Sequence, residues 1–312
     1  MKKNLLVCRS GGRTSEYMYK RLLKEYSDEY NIVGIFANTG WEHHKTLEFV
    51  HNNDLDNERL YGVKPVWVEA VVHEGRVAST HKVVDYETAS RDREPFVEVV
   101  KKYGIPNKAY PHCTRELKEN PIHHHVETVL KWSNKKKDEE ILDPWCDCGM
   151  CFVQINYKNY ETALGIRIDE PRRLKDSKTP QNKVYPLAHW FDDTPDKLDI
   201  LDWWEDYHFD LGIPEHLGNC VGCFRKSDRK CMKAYRDAPG QFVNTMENDF
   251  GHIGPNKIGG VRVDEPRTMY RQYRTCQDII QMFNEVDHGW LNKDDPDYMN
   301  EGCASSCEPF AG

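Results

Sequence analysis

The sequence predicts an α/β protein: a parallel, twisted sheet with helices on both faces, plus a smaller cysteine-rich module towards the C-terminal end. Short apolar runs and helical patterns alternate at the start of the chain, which is typical of a parallel sheet. Hydrophobic residues make up 38% of the chain and aromatic residues 11%, enough to form a core. The length of 312 residues predicts two domains, at roughly 150 residues each.

The predicted elements follow one another in a strand–helix order. The predicted strands are residues 5–8, 32–37, 66–68 and 163–168. Between the first two, Met18, Leu22 and Tyr26 recur on one helical face. Consecutive parallel strands need crossover connections, and these are right-handed in almost all proteins. The order therefore predicts a parallel sheet covered by its crossover helices.

Composition changes near residue 214, where we place the domain boundary. Residues 1–214 form the predicted first domain, with an insertion at about 131–152 that contains a run of charged residues. Gly, Cys and basic residues dominate beyond the boundary, so residues 215–312 are predicted to be a cysteine-rich basic module with an acidic tail.

Hydropathy argues against a membrane-spanning or secreted protein, and the overall charge is acidic. Lys and Arg total 43 and Asp and Glu total 51, so the net charge is −8. No apolar run approaches the ~18 residues of a membrane span, and the N-terminal apolar run is too short for a signal peptide. We therefore expect a cytoplasmic protein without a membrane partner. In that compartment, eleven cysteines predict metal ligands or redox groups rather than structural disulfides.

A glycine-containing loop follows the first predicted strand and opens the first predicted helix. Its sequence is Ser10-Gly11-Gly12-Arg13-Thr14-Ser15. Two glycines allow a tight turn that aims backbone N–H groups at an anion, and the helix N-terminus adds partial positive charge. The loop lacks the Gly-Lys-Ser/Thr ending of a P-loop and the Gly-x-Gly-x-x-Gly of a dinucleotide-binding turn. An ordinary glycine turn with a serine cap is the alternative.

Four segments together resemble the PAPS (phosphoadenosine phosphosulfate) reductase branch of the PP-loop ATP pyrophosphatase superfamily. The loop resembles the family's Ser-Gly-Gly-x-x-Ser, and residues 36–42 (Phe-Ala-Asn-Thr-Gly-Trp-Glu) resemble the segment after its second strand. Residues 113–121 resemble the branch's Cys-Thr-x-x-Leu-Lys-x-x-Pro, and residues 165–173 its Gly-x-Arg…Arg. The four segments occur in the family's order and cover about residues 5–225. Within the branch, the chain is similar to bacteriophage and prophage proteins and to the ATPases of DNA phosphorothioation.

The resemblance implies a fold of the PP-loop ATP pyrophosphatase type, in which residues 1–214 bind an adenine nucleotide, ATP or PAPS, with Mg²⁺. The implied catalytic residues are Ser10, Lys118 and Arg167. The implied nucleotide-binding residues are Ser10, Gly11, Gly12, Arg13, Thr14, Ser15, Asn38, Thr39, Arg172 and Arg173. Their chemistry suits this role, because arginine binds phosphate or sulfate through two parallel hydrogen bonds.

The C-terminal cysteines predict a metal centre. Cys220 and Cys223 form a Cys-x-x-Cys, and Cys231 follows. Three thiolates hold an iron–sulfur cluster with one iron open, whereas four close a 4Fe-4S or zinc site. Cys303 and Cys307 are the candidates for further ligands, with the tail folding back. A 4Fe-4S cluster, a structural zinc and thiols without a metal all remain open.

The insertion carries a second group of cysteines. Cys146, Cys148 and Cys151 predict a second metal site, with one histidine of the run 123–125 as the fourth ligand. The family segments that the chain resembles have no counterpart of this group.

Basic residues surround Cys231: Arg225, Lys226, Arg229, Lys230, Lys233 and Arg236. Three interpretations remain open. The charge stabilises an anionic cluster and lowers thiol pKa values, it contacts a nucleic-acid backbone, or it is a solvated helix face.

One short sequence occurs twice. Residues 165–172 (Gly-Ile-Arg-Ile-Asp-Glu-Pro-Arg) recur nearly unchanged at 260–267 (Gly-Val-Arg-Val-Asp-Glu-Pro-Arg). A single recurrence excludes a solenoid. The recurrence is explained either by chance or by two similar strand-to-turn segments.

These features favour one function and leave two alternatives. The favoured function is an ATP pyrophosphatase that adenylates an acceptor for sulfur transfer to a nucleic acid or nucleotide, from an unidentified sulfur donor. The first alternative is a PAPS reductase with Cys303 or Cys307 as nucleophile; the tail lacks the Glu-Cys-Gly-Leu/Ile-His setting typical of that cysteine. The second is a non-catalytic nucleotide-binding module with structural zinc.

Overall fold

The fold is built around a six-stranded sheet. The computed structural model describes residues 2–134, 140–142, 152–154, 157–174, 182–242, 245–270 and 273–293. The strands of the sheet are β1 (Lys3–Arg9), β2 (Tyr30–Asn38), β3 (Val66–Val71), β4 (Thr80–Val84), β9 (Glu161–Ala163) and β10 (Lys183–Val184). Their order is β10-β9-β1-β2-β3-β4, with every neighbouring pair parallel except β3 and β4. The predicted parallel α/β sheet is confirmed, and an antiparallel edge strand is added to it.

Helices follow the strands as the sequence predicts. The N-terminal helices are α1 (Arg13–Glu25), α2 (His44–Tyr61) and α3 (Glu94–Tyr103). The central ones are α4 (His112–Thr114), α5 (Asn120–His125), α6 (Pro186–His189) and α7 (Lys197–Glu205). The C-terminal ones are α8 (Asp228–Asp237), α9 (Met246–Phe250), α10 (Cys276–Glu285) and α11 (His288–Asn292).

Side chains of β1 alternate between the two faces of the sheet. Leu5 and Val7 belong to one buried cluster with residues of α1, whereas Leu6 and Cys8 belong to another that includes Ile122 of α5. Because successive side chains of a strand point to opposite faces, α1 and α5 cover opposite sides of the sheet. The prediction of helices on both faces is therefore confirmed for the described residues.

The strand predicted over residues 163–168 is wrong in its bounds. The strand β9 ends at Ala163, and residues 164–167 are irregular although Leu164 and Ile166 are fully buried. The amide of Leu164 still donates to Val184 O at 3.0 Å, but Ile166 N turns back to Leu164 O at 2.9 Å. Burial of this irregular segment produced the apolar run that resembled a central strand.

A continuous helical run extends from α4 to Leu130. It contains two π-helical turns, Arg115–Glu119 before α5 and Val126–Leu130 after it. Pro121 has no N–H to donate to the preceding turn, which accounts for the irregular hydrogen bonding at the first π-turn. This run carries Cys113 and Lys118 towards the strand ends.

The C-terminal part packs directly against the first part. One buried cluster contains Leu5 and Val7 together with Val221, Cys231 and Ile279. The two parts thus share apolar core, and the domain division at residue 214 stays a prediction. The remaining C-terminal strands, β11 (Asn256–Ile258) and β12 (Val261–Val263), form an antiparallel hairpin.

The repeated octapeptide has no common structure. Residues 165–172 are irregular and include the buried Arg167, whereas Val261 of the second copy lies exposed in β12. The recurrence is therefore not a structural repeat.

Only parts of the predicted insertion at 131–152 are described. Two short antiparallel pairs begin in it and are completed by strands at or beyond its end, β5 (Ser133–Asn134) with β8 (Tyr157–Lys158) and β6 (Glu140–Leu142) with β7 (Phe152–Gln154).

Candidate functional site

A cavity of about 410 Å³ opens at the carboxyl ends of β1 and β9. We call it the loop cavity. Its walls come from the loop at residues 10–14, the segment 165–173, the helix α7 and the segment 210–219. Ligands of parallel α/β sheets bind at this edge. The loop and the arginine segment, which are far apart in sequence, therefore face one space at the expected edge.

Gly11 is fixed in the loop by its conformation and its neighbours. Its φ is +77°, in the region that disfavours residues with a Cβ. A Cβ at this position would lie 2.9 Å from Thr46 Cγ2 and 3.1 Å from Phe36 and Val50. The loop thus packs tightly on β2 and α2 on one side and lines the cavity on the other.

The first turn of α1 faces the cavity without a side-chain cap. Gly12 is the N-cap residue and has no side chain with which to cap the helix. Ser15 instead organises the loop: its Oγ accepts from Ser10 N and Ser10 Oγ, both at 3.1 Å, and donates to Gly12 O at 3.0 Å. Helix N-termini of this kind bind anions through their backbone N–H groups.

A buried ion network fixes the loop from beneath. Arg9, the last residue of β1, binds Glu16 of α1 at 2.8 Å and Asp54 of α2 at 2.7 Å, and both Arg9 and Glu16 are fully buried at the side chain. Burial raises the pKa of Glu16, and the Arg9 guanidinium opposes that rise. Because the network joins both ends of the loop to α2, it limits movement of the loop.

Two arginines line the cavity together with the loop. Arg167 Nη1 lies 3.4 Å from Thr14 Oγ1, and its Nε donates to Asp169 at 2.8 Å. Arg173 Nη1 binds Glu170 at 2.5 Å, and the same carboxylate lies 3.5 Å from Arg167 Nη1. Glu170 therefore holds both guanidinium groups at the cavity wall. Arg172 is exposed and does not line the cavity.

Charged pairs surround the rest of the cavity. Arg13 donates to both carboxylate oxygens of Asp210, at 2.6 and 2.5 Å. This pairing lowers the pKa of Asp210 even though burial alone would raise it. Lys197 lies 3.4 Å from Glu215. The predicted phosphate ligand Arg13 is thus held by a carboxylate in this structure.

A second, much smaller pocket lies beside the first. Its volume is about 20 Å³, room for one water-sized body. We call it the thiol pocket, because Cys113, Cys220 and Cys223 line it. Lys118, Thr39 and Thr114 also border it, although its exposed lining is almost wholly apolar. Its other walls are Trp41, Phe96, Leu117, Phe224 and Met269.

The Cys-x-x-Cys turn docks on the end of β2. Val221 N donates to Trp41 O at 3.0 Å, and Cys220 forms an isolated β-bridge with Glu42. A Cβ on Gly222 would lie 2.3 Å from Trp41 Cζ2, so only glycine allows this approach. The thiols therefore occupy a defined position at the same edge of the sheet as the loop.

Glu42 connects the end of β2 with the thiol pocket. It is buried and accepts from Thr39 N at 3.0 Å and from Thr39 Oγ1 at 2.8 Å. Cys220 Sγ lies 3.2 Å from Thr39 Oγ1 and 4.0 Å from Glu42 Oε1. Burial raises the pKa of Glu42, against the opposing charge of Lys118.

The predicted nucleotide-binding and catalytic residues do not all line one space. The loop residues Ser10–Thr14, with Arg167 and Arg173, line the loop cavity. Asn38 is fully buried, and its side chain bonds Glu69 at 2.7 Å and Ser90 O at 2.9 Å. Thr39 and the predicted catalytic Lys118 line the thiol pocket instead.

The two spaces adjoin through one stretch of chain. Gly218 and Asn219 line the loop cavity, and the next residue, Cys220, lines the thiol pocket. A group bound in the first space is thus separated from the thiols of the second by the width of this segment.

The described cysteines do not form a closed set of metal ligands. Cys231 Sγ lies 3.8 Å from Lys226 O and 4.0 Å from Cys223 O, whereas Cys220 Sγ faces Thr39. Within the described ranges, no three His, Cys, Asp or Glu side chains are grouped so as to hold a metal ion. The predicted ligands Cys303, Cys307, Cys146, Cys148 and Cys151 lie outside those ranges. The metal sites stay predictions.

Cys276 lies near Cys231, which its position in the sequence does not indicate. Burial raises the pKa of Cys276 to about 12, and the charges of Glu247 and Cys231 add to that rise. Such a thiol is unreactive, because the thiolate is the nucleophilic form.

Several of the basic residues near Cys231 contact their own chain. Lys226 is buried and donates to His216 O at 2.6 Å and Val221 O at 2.9 Å, which holds the Cys-x-x-Cys turn. Arg229 donates to Trp290 O at 2.9 Å, and Arg236 donates to Asp237 at 2.6 Å. These contacts assign the three side chains to local structure; nucleic-acid contact by this module stays a prediction.

Sequence reasoning missed two features of the site. Glu170 is the shared partner of two arginines, and the Asp-Glu-Pro-Arg around it occurs a second time without that role. Cys113 shares a pocket with Cys220 and Cys223, although only its place in the resembling segment linked it to the site.

Within the part of the chain that the structure describes, no helix combines the length and apolarity that crossing a membrane requires.

Comparisons with known proteins identify relatives of this chain. The nin region protein ORF290 of Escherichia phage lambda, described as uncharacterized, is 30% identical over 312 residues, which cover 98% of this chain and 95% of the relative. The uncharacterized protein MJ0066 of Methanocaldococcus jannaschii is 26% identical over 191 residues, 61% of this chain and 30% of that protein. No family model and no solved structure matches the chain. At this identity and coverage, the chain belongs to the family of the lambda nin region protein ORF290.

Proposed function

We propose that the protein is a PAPS reductase-like ATP pyrophosphatase of the PP-loop type that adenylates an acceptor, for sulfur transfer to a nucleic acid or nucleotide. One observation carries the proposal. The glycine loop and the first turn of α1 line a cavity of about 410 Å³ that Arg167 and Arg173 also line. Backbone N–H groups and guanidinium groups lining one cavity suit a polyphosphate.

The proposed reaction begins with ATP in the loop cavity. An acceptor oxygen attacks the α-phosphate, and pyrophosphate leaves with the electrons of the broken P–O bond. The loop amides and Arg167 stabilise the charge that develops on the pyrophosphate, and Ser10 holds the loop through Ser15. Mg²⁺ would accompany the phosphates, and the Glu170 carboxylate at the cavity wall offers oxygen ligands of the kind that it prefers.

The second half of the proposed reaction uses the cysteine-rich module. Sulfur displaces AMP from the adenylated acceptor, so a sulfur atom must arrive beside the loop cavity. The thiol pocket adjoins that cavity through residues 218–220. In this proposal Lys118 acts on the sulfur side, because it lines the thiol pocket. No step is assigned to a 4Fe-4S or zinc centre.

The test is the fate of ATP with Mg²⁺. Wild-type protein is expected to release AMP and pyrophosphate, and Arg167→Met to lower turnover on the order of 10²-fold. Arg262→Met is the matched control, because Arg262 occupies the same place in the repeated octapeptide but is exposed on β12. Release of ADP and phosphate, or equal turnover in wild type and Arg167→Met, would contradict the proposal.

Two other outcomes would identify a different function. Thioredoxin-dependent release of sulfite from PAPS would indicate a sulfonucleotide reductase. ATP binding with no turnover under any condition tested would indicate a non-catalytic nucleotide-binding module.

A further inference from the structure

The antiparallel hairpin of β11 and β12 projects from the C-terminal part of the protein. Its turn is Gly259-Gly260, with φ of +57° and +86°. Positive φ at both central residues is the geometry of the two-residue turn that matches the twist of a hairpin. A Cβ on either glycine would meet no described atom within 4 Å, so the turn lies in open space.

Buried polar contacts fix the base of this hairpin. The side chain of Asn256 is buried, and its Nδ2 donates to Glu265 O and Pro266 O, both at 3.1 Å, which joins the two ends of the hairpin. The buried Arg267 donates to three backbone carbonyl groups at 3.0 Å, one of them Tyr103 O at the end of α3. Because a two-stranded hairpin is marginally stable by itself, these contacts hold it in one position.

Two cations lie side by side on the exposed face of the hairpin. Lys257 and Arg262 are directly opposite each other in the register, and both are exposed. Like charges in this arrangement destabilise a pair of strands. Within the described ranges, neither side chain forms an ion pair or a hydrogen bond, although Asp264 and Glu265 follow β12 directly. The pair therefore costs stability without a compensating contact inside the protein, which is typical of a binding surface.

The tip of the hairpin adds an apolar contact point. Ile258 and Val261 flank the turn opposite each other, and Val261 is 67% exposed. The two glycines carry no side chain that would keep the tip away from another molecule. The hairpin thus combines a fixed base, a narrow apolar tip and two adjacent positive charges.

We propose that the hairpin of residues 256–263 contacts double-stranded DNA, with its tip in the major groove and Lys257 and Arg262 on the phosphate backbone. This inference deepens the proposed function and rests on it for the role of the DNA, which would be the acceptor of sulfur transfer. The binding itself requires no ATP.

Shape and composition favour duplex DNA over other polyanions. A two-stranded β-ribbon fits the major groove of B-form DNA, which is about 12 Å wide. The major groove of an RNA duplex is too deep and narrow for side chains to reach its bases. Single strands are bound by stacking on aromatic side chains, and residues 256–263 include none. An acidic protein would neutralise the two cations but would not require the projecting glycine turn.

The experiment measures binding of the full-length protein to a short fluorescein-labelled DNA duplex by fluorescence anisotropy, at several salt concentrations. The double variant Lys257→Gln, Arg262→Gln should bind on the order of 10-fold more weakly at low salt. Its slope of log affinity against log salt should flatten by roughly 2, because each lost phosphate contact removes about 0.9. Val261→Ser should weaken binding about 3-fold and keep the wild-type slope.

The matched control is the double variant Lys24→Gln, Lys64→Gln. It removes two exposed positive charges elsewhere, at the end of α1 and after α2, and should keep the affinity and slope of the wild type. The melting temperature of the hairpin variant should equal or exceed that of the wild type, because like-charge repulsion is removed. If a lower melting temperature shows that it misfolds, the single variant Arg262→Met decides, with a slope change of about 1.

Three results would overturn the inference. One is equal affinity and slope in the wild type and the hairpin variant, and another is an equal loss in the control. The third is wild-type protein that binds single strands of the same sequence, or polyglutamate, more tightly than the duplex. DNA binding is measured without ATP, and ATP turnover without DNA, so failure of this inference and failure of the proposed pyrophosphatase are distinguishable. Arg262→Met remains a control for ATP turnover, because that assay contains no DNA.

Discussion

The loop cavity and the thiol pocket lie at the same edge of the sheet and differ in almost every other respect. The first is about 410 Å³ and lined by backbone amides, arginines and carboxylates; the second is about 20 Å³ and lined by thiols, one lysine and apolar side chains. A polyphosphate needs space and many donors, whereas a sulfur atom needs little space and protection from water. Under the proposed function, this difference would keep nucleotide chemistry and sulfur chemistry in separate, adjoining spaces.

The largest effect is expected at the glycine loop. Gly11→Ala places a Cβ 2.9 Å from Thr46 at a φ of +77°, so it should distort the loop. The strain costs about 1–2 kcal/mol, and ATP affinity should fall by about tenfold or more. The control is Gly12→Ala, whose Cβ would meet Ser10 Oγ at an ordinary 3.7 Å. Calorimetric ATP titration and thermal unfolding check this; equal ATP affinity in both variants would contradict it.

A smaller effect is expected at the arginine wall. Arg173→Gln removes a guanidinium from the loop cavity. Because Glu170 already holds that group, the net loss is about 0.5–1.5 kcal/mol, and ATP binding should weaken roughly 3- to 10-fold. Arg172→Gln is the neighbouring control, because Arg172 is exposed and does not line the cavity. Competition with a fluorescent ATP analogue measures both. Similar losses in the two variants would show that the effect is one of net charge.

Acid should destabilise the protein through two buried histidines near the helical run. Burial, followed by His125 and His124, lowers the pKa of His81 to about 4, and burial with Arg267 lowers that of His112 to about 4. In the unfolded chain the pKa of histidine is about 6.5. The unfolded state therefore binds more protons between these values, and the free energy of unfolding falls as the pH drops through that window.

These histidines anchor the helical run that carries Cys113 and Lys118. His81 Nδ1 lies 2.6 Å from His124 Nδ1, and His112 Nε2 lies 3.2 Å from Gly104 O. Thermal unfolding between pH ~7 and ~5 should show a falling midpoint, with a shallower slope in His81→Gln. His208→Gln is the control, since that side chain is 60% exposed. Identical slopes in all three proteins would rule out a contribution from His81.

The smallest effect is expected at the rim of the loop cavity. Asp210→Asn releases Arg13 from a partly exposed ion pair, which is worth about 0–1 kcal/mol. Arg13 then gains freedom to contact phosphate, so ATP affinity should rise by no more than about fivefold. Titration at low and high salt tests this, because the gain should shrink with salt. A loss of affinity would indicate that Asp210 contributes directly to binding.

Local sequence was enough to predict the part of the fold that holds the loop. The strand β1, the turn at Gly11 and the helix α1 are adjacent in the chain, so hydrophobic periodicity and glycine placement predict them together. The last predicted strand, residues 163–168, was less predictable. Residues 164–167 are buried by the surrounding elements but are not a strand. Burial and strand structure produce the same apolar pattern.

The division of the site into two spaces could not be predicted. Asn38 ends β2 and Thr39 follows it, but buried partners, Glu69 and Glu42, engage their side chains. Cys113 lines the same pocket as Cys220 only because the helical run and the Cys-x-x-Cys turn pack on the same strand end. Such contacts depend on tertiary packing, which a local pattern does not contain.

The most direct test is a crystal structure of the protein with a non-hydrolysable ATP analogue and Mg²⁺. The account predicts phosphate oxygens at about 2.7–3.2 Å from backbone N–H groups of the loop and the first turn of α1. It also predicts a phosphate contact from Arg167 or Arg173 across the same cavity. An analogue bound elsewhere, with the loop cavity holding only solvent, would contradict the account.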